Sequence, residues 1–195
     1  MSKDSRGSMV RSAASLIRTR GVSATSFSDV LADSGAPRGS IYHHFPHGKE
    51  QLAGDAIRWT SERVLAHQRA CPGTTPAGVL GCFIDMWRQV VLASGGASGC
   101  VVAGVALDSN AGLEGERLID VAREAFRSWV EVLAEQLERA GVPARRASAI
   151  AVTTLAGMEG ALILCRAERS VGPLDEAAAE LMRLLPPGAG AQPIL

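Results

Sequence analysis

Thr25–Phe45 reads TSFSDVLADSGAPRGSIYHHF, and its spacing predicts two short helices around a tight turn. Ser26 caps the first, with Asp29 three residues on to complete a capping-box-like pair. Phe27, Val30 and Leu31 form its core side. Gly35 is the turn residue. Pro37 opens the second helix, where a fixed φ suits the first turn and the missing N–H costs little. Phe45-Pro46 ends it. The second helix carries small and hydrogen-bonding residues, a design suited to a helix that lies against DNA.

The chemistry of such a reader can be assigned residue by residue. Gly39 and Ser40 leave room for close approach to the major-groove floor. Arg38 reaches a base edge, with guanine O6 and N7 its favoured target, or a phosphate. Tyr42 and His43 project toward the sugar-phosphate backbone. Thr25, Ser26 and Ser28 stand at a helix start, where N–H groups and the dipole favour phosphate. Lys49 does the same at the start of the fourth helix, with added positive charge. Duller roles stand beside these: Thr25 and Ser26 as caps alone, Gly39 as helix packing. Ile41 and Phe45 are core, and His44 supports the fold. His43, His44 and His47 form no metal set, because neighbouring helical side chains diverge and no carboxylate or Cys joins them.

The pattern T-S-F-x-D-V-L-A-x-x-G-A-P-R-G-S-I-Y-H-H-F-x-x-G-K-E-Q-L resembles the helix-turn-helix signature of the tetracycline-repressor (TetR) family of bacterial transcriptional regulators. The resemblance runs over about residues 9–52. Many members carry Ser or Thr where this chain has Pro37, so one phosphate-contacting hydroxyl is absent. The resemblance implies a helix-turn-helix domain over 1–52 and a ligand-sensing, dimerising helical domain over 53–187. The tail, 188–195, is expected to be disordered.

Bulk properties agree with a small reader joined to another body. The chain has 195 residues, 47% hydrophobic, and a formal net charge of zero. The zero hides an asymmetry: residues 1–50 carry seven Lys/Arg against four Asp/Glu, and the rest thirteen against sixteen. A basic amino-terminal module before an acidic body fits a nucleic-acid reader. Cys71, Cys82, Cys100 and Cys165 show no metal spacing and read as buried reduced thiols in a cytoplasmic protein. The amino terminus has no apolar signal region. Ala147–Cys165 is nearly long enough to span a bilayer. Glu159 near its centre, between Gly157 and Gly160, favours a helix buried inside a protein or dimer, and no membrane partner is expected.

The pattern is helical throughout, giving an all-α fold class. The first helix covers about Asp4–Arg20, with Val10, Ala13, Ala14 and Ile17 buried. The fourth, Lys49–Ala70, starts in the reader and leaves it. Further helices are expected over Pro76–Ala93, Cys100–Leu107, Leu113–Ala140, Pro143–Ala167 and Leu174–Leu185. Phe83, Met86 and Trp87, Val102, Val105 and Ala106, and Phe126, Trp129 and Val130 are candidates to surround a ligand cavity, closed by Met158 and Leu162. The plainer reading of each is simple core, since apolar stripes at helical spacing mostly pack. Glu159 is a candidate hydrogen-bond partner for a ligand or for a second subunit, with a solvent-facing position as the alternative.

The segments SGCVVAGVALDS (98–109), EGALILCRA (159–167) and PLDEAAAEL (173–181) resemble regulators of this family that sense planar aromatic drugs and flavonoids. That resemblance implies a small aromatic or hydrophobic effector. Ala149, Ala156, Gly157, Gly160, Ile163 and Leu181 are the candidate homodimer surface, since two readers are needed for a palindromic operator in double-stranded DNA. Effector binding would move the fourth helix and mis-space the readers, giving a repressor released by its ligand. An all-α small-molecule-binding enzyme and a protein-binding helical adaptor are the competing classes. The enzyme is disfavoured by the lack of a nucleophile, acid-base pair, metal set or phosphate loop, and no cofactor is expected.

Overall fold

The computed structural model describes residues 4–108 and 113–186; the expected disordered tail lies outside them. The described residues form helices and no strand: α1 (Ser5–Arg20), α2 (Phe27–Ser34), α3 (Ser40–His44), α4 (Gly48–Arg69), α5 (Pro76–Ala93), α6 (Val101–Asp108), α7 (Leu113–Arg139), α8 (Ala144–Glu168) and α9 (Gly172–Arg183).

Helix ends follow local chemistry. Asp4 caps α1 by accepting from the Gly7 N–H at 2.9 Å. The α2 capping box is complete: Ser26 Oγ accepts from the Asp29 N–H at 3.2 Å, and Asp29 Oδ2 accepts from the Ser26 N–H at 3.0 Å. Gly35 closes α2 at φ 64°, the left-handed region that disfavours a Cβ, and its N–H donates to the Leu31 carbonyl. Thr75 caps α5 through the Gly78 N–H at 3.1 Å. One expectation is corrected: α3 begins at Ser40, not Pro37. The Ser40 N–H and hydroxyl both donate to the Pro37 carbonyl, at 2.9 and 2.6 Å. That i to i+3 closure is a tight turn that precedes the α-helix.

The described residues fall into two compact units. The first comprises the chain through Arg63 with Cys100–Phe126, so it extends past residue 52 and recruits α6 and the start of α7. Its core joins Met9, Val10, Ala13 and Ile17 of α1 to Val30, Ile41, Phe45, Leu52, Ala56 and Ile57. Gly104 brings α6 close to α1, since a Cβ there would lie 3.6 Å from the Ile17 carbonyl oxygen. An ion pair from Arg6 to Asp55 at 2.6 Å adds a link from α1 to α4.

The second unit comprises Val64–Gly99 and the chain from Arg127 onward. Leu80, Trp129, Leu133, Leu137, Ile150, Met158, Leu162 and Leu174 are its fully buried large side chains, the aliphatic ones and Met158 each contributing about 1.5–3 kcal/mol by leaving water. Phe83, Trp87 and Trp129 form an aromatic chain with centroid separations of 6.4 and 5.9 Å. Gln68, 2% exposed, donates to the Trp129 carbonyl at 3.0 Å, and Gln136 donates to the Gln68 carbonyl at 2.5 Å. These bonds fasten the end of α4 to α7. Arg88 pairs with Asp175 across α5 and α9, with Nε at 2.9 Å. α8 is long and apolar enough to cross a bilayer. Its Ala147, Ile150, Ala151, Met158 and Leu162 are instead packed inside this unit.

Candidate nucleic-acid interface

The turn Pro37–Gly39 and helix α3 present the reader. Pro37, Arg38, Gly39, Tyr42 and His43 are exposed. Ile41 and Phe45 point inward and anchor the helix. Tyr42 is 70% exposed, and its ring meets Phe27 edge to face at 5.7 Å. That contact props the phenol outward. Gly39 has nothing within 4 Å of the place a Cβ would occupy, and an ordinary φ of −72°. The fold therefore does not require glycine there. An open concavity of about 430 Å³ lies between α2 and α3, lined by Phe27, Ser28, Leu31, Ala32, Ala36, Arg38, Ile41 and Tyr42. Its lining is mostly apolar, with Ser28, Arg38 and Tyr42 its polar members.

Ser26 and Ser28 stand exposed at the start of α2, with their hydroxyls 3.1 Å apart. Thr25 is placed differently from expectation. It is 4% exposed and its hydroxyl donates to the Gly21 carbonyl at 2.8 Å. Its role is to close the α1–α2 loop. Ser40 Oγ is likewise occupied by Pro37. Lys49 is half-buried, with Nζ donating to the Ser23 carbonyl at 3.0 Å. Its positive charge thus sits beside the loop that leads into α2. The His43 and His44 rings meet edge to face at 5.2 Å.

One residue that braces the loop leading into the reader has no assignment from sequence. Asp108, the last residue of α6, grips the α1–α2 loop with both carboxylate oxygens. Oδ2 accepts from the Ser23 N–H at 2.5 Å and Oδ1 accepts from the Ser23 hydroxyl at 2.7 Å. The Ser23 N–H, outweighing the cost of burial, holds the Asp108 carboxyl below the usual carboxylate range, with the Ser23 hydroxyl and Lys49 adding to it. Asp29 is lowered by the Ser26 side chain and backbone, with smaller help from Arg20 and Lys49. The signal for Asp108 was faint: one acid ending the apolar run VVAGVALD.

The candidate ligand residues divide between the units. Phe83, Trp87, Trp129, Met158 and Leu162 are buried in the second, where Met86, Val130 and Glu159 are half-buried. Val102 and Val105 are buried, and Ala106 and Phe126 half-buried, in the first. Three buried polar atoms of the second unit find no hydrogen-bond partner among the described residues: Gln68 Oε1, Trp87 Nε1 and Thr154 Oγ1. Buried polar atoms of this kind call for a bound water or ligand.

The candidate dimer residues also divide. Ala149, Ala156, Gly160 and Ile163 are exposed on one side of α8, where Val152, Thr153 and Leu164 join them. Gly157 and Leu181 are corrected. Leu181 is buried, and a Cβ on Gly157 would lie 3.4 Å from its Cδ1. The two pack α8 against α9 within one chain. The cysteine expectation changes as well: Cys71 and Cys82 are paired in a disulfide, while Cys100 and Cys165 are buried.

Comparison with known proteins accounts for both halves of this arrangement. Residues 10–56 match the bacterial regulatory proteins of the tetR family. Residues 76–180 match the C-terminal domain of LmrA/YxaF-like transcriptional regulators. An uncharacterised HTH-type transcriptional regulator of Mycobacterium tuberculosis is 39% identical over 180 residues, covering 91% of this chain and 92% of its own. The HTH-type regulator LmrA of Bacillus subtilis is 29% identical over 175 residues, covering 88% and 91%. A TetR regulator of Legionella pneumophila shares the fold with a TM-score of 0.84 at 21% identity, over 95% of this chain and all of that one. The chain belongs to the TetR family of bacterial transcriptional regulators, with an LmrA/YxaF-like C-terminal domain. It is a DNA-binding helix-turn-helix regulator, and regulators of this family bind operator DNA and act as dimers.

Proposed function

We propose that the protein is a homodimeric repressor, released from a palindromic operator by a small aromatic or hydrophobic effector. The observation that carries this reading is the surface at Pro37–His43. Arg38, Gly39, Tyr42 and His43 are all exposed there, while Ile41 alone anchors the same turn of helix to the core. Arg38 and Gly39 face the bases. Ser26, Ser28, Tyr42, His43 and Lys49 serve the backbone.

The exposed side of α8 supplies the second copy. Ala149, Ala156 and Gly160 permit close helix approach, and Val152, Ile163 and Leu164 supply apolar area. Two readers related by a two-fold axis then meet half-sites one helical turn apart, about 34 Å. The effector is received in the second unit, at the Phe83–Trp87–Trp129 aromatic chain with Met158 and Leu162. The unpartnered Trp87 Nε1 and Gln68 Oε1 support an effector that brings hydrogen-bonding groups into an apolar site. To act, it must bind the DNA-incompetent state more tightly, and DNA must weaken effector binding by the same factor.

A mobility-shift titration against the region upstream of its own gene tests the reader. Arg38→Ala relaxes preference at one base pair, at a cost of about 1–3 kcal/mol. Lys49→Ala weakens binding on every sequence and lowers the salt slope by about one. If neither substitution affects DNA binding, the assignment fails. Calorimetric titration with planar aromatics and with flexible fatty acyl compounds tests the effector class; exclusive acyl binding would overturn it.

A further inference from the structure

Cys71 and Cys82 are the half-exposed pair among the four cysteines. Cys71 follows α4 by two residues, and Cys82 lies in the second turn of α5. Their Cα atoms are 6.1 Å apart and their sulfurs are joined, a separation inside the range that a disulfide bridges without backbone movement. The approach does not depend on the bond itself. The Gly73 N–H donates to Cys71 Sγ at 3.4 Å. A Cβ on Gly73 would lie only 2.5 Å from the Gly78 carbonyl carbon, so the loop is folded tightly onto the first turn of α5. Thr75 caps that same turn. Cys100 and Cys165 are buried, and burial pushes the Cys165 thiol up, away from the reactive thiolate.

A bacterial DNA-binding regulator works beside the chromosome, where thiols are held reduced. A disulfide in that setting is a transient, responsive bond rather than a permanent staple. We propose that Cys71 and Cys82 form a reversible redox pair, a dithiol in the resting regulator and a disulfide after exposure to a peroxide, and that the bond alters operator affinity through α4. One thiolate attacks the peroxide O–O bond, forming a sulfenic acid and releasing hydroxide, which leaves as water once protonated. The second sulfur then displaces the sulfenic hydroxyl as another water. Two thiols and one hydrogen peroxide give one disulfide and two waters; sulfur is oxidised and the peroxide oxygens are reduced.

The route to the reader is one continuous helix. α4 starts at Gly48, where Lys49 donates to the Ser23 carbonyl, and Asp55 about two turns on pairs with Arg6 of α1. Its last turn holds Gln68, fastened to Trp129, three residues before Cys71. Tying Cys71 to α5 restrains that end of α4 in the oxidised form and leaves it freer in the reduced form. The consequence rests on DNA binding and not on the identity of any effector.

The full chain, reduced and desalted, is treated with stoichiometric hydrogen peroxide and mapped by mass spectrometry. An intramolecular Cys71–Cys82 peptide is expected, with Cys100 and Cys165 still alkylated after denaturation. Oxidised and reduced protein are then titrated on the same operator duplex, selected from random sequence. A difference of about fivefold or more is expected, reversed by dithiothreitol. Cys71→Ser and Cys82→Ser are each expected to bind as reduced protein does and to ignore peroxide. Absence of the linked peptide, a link between two chains, equal affinity of the two forms, or a peroxide response retained in both serine variants overturns the proposal.

Discussion

Gly39 shows how a single residue separates folding from reading. Its φ is ordinary and its missing side chain leaves open space, so the fold gains nothing from glycine at that position. Gly39→Leu is expected to leave thermal stability within about 0.5 kcal/mol of the parent. The same side chain would stand between the helix and the groove floor, so operator affinity is expected to fall by about tenfold or more. Thermal unfolding and a mobility-shift titration on one preparation check both halves, and unchanged DNA binding would remove Gly39 from the reader. Thr25 makes the opposite point. Its hydroxyl looked available in sequence, yet it is spent four residues back on the Gly21 carbonyl.

At the scale of elements, α2 and α6 differ in how far their roles were legible. The α2 capping box and its Gly35 stop involve partners within four residues, so the sequence displays them directly. The bond from α6 to the α1–α2 loop spans 85 residues, and nothing in the run VVAGVALD points at Ser23. Asp108 and Asp29 both have carboxyls held below their ordinary value. A lowered folded value means that the ionised form is favoured by the fold. Their stabilisation is complete above the ordinary carboxylate value of 3.8 and is lost as pH falls through the lower folded values. Chemical denaturation between about pH 5 and pH 2 is expected to show that loss. Asp108→Asn should flatten part of the slope. An unchanged pH profile in that variant would show that the Ser23 contact carries no stability.

The largest scale brings in the second copy of the chain. Ile163 is 62% exposed and Leu181 is 6% exposed, although both looked like interface residues in sequence. Ile163→Asp is expected to leave the folded chain intact, shift it to monomer in analytical ultracentrifugation, and abolish operator binding in the same preparation. Leu181→Ala removes packing onto Gly157 within one chain. It is expected to cost about 2–4 kcal/mol in stability, read as a lower denaturant midpoint, before any change in association. A dimeric Ile163→Asp protein would rule out the exposed side of α8 as the interface.

The sequence by itself determined the helical class, the course of each helix apart from the start of α3, the α2 capping box and the reader motif, because these depend on neighbours one turn apart. Ser26 and Asp29, Gly35 and the apolar spacing of α1 are all of that kind. Tertiary structure decided which distant groups meet: Asp108 with Ser23, Cys71 with Cys82, Gln68 with Trp129. It also decided which of two nearby glycines on α8 faces inward, Gly157 against Leu181 or Gly160 in the open. The reason is physical. Helical periodicity places residues on faces, but which face is covered depends on packing between elements far apart in the chain. Such packing leaves no short-range trace in residue order.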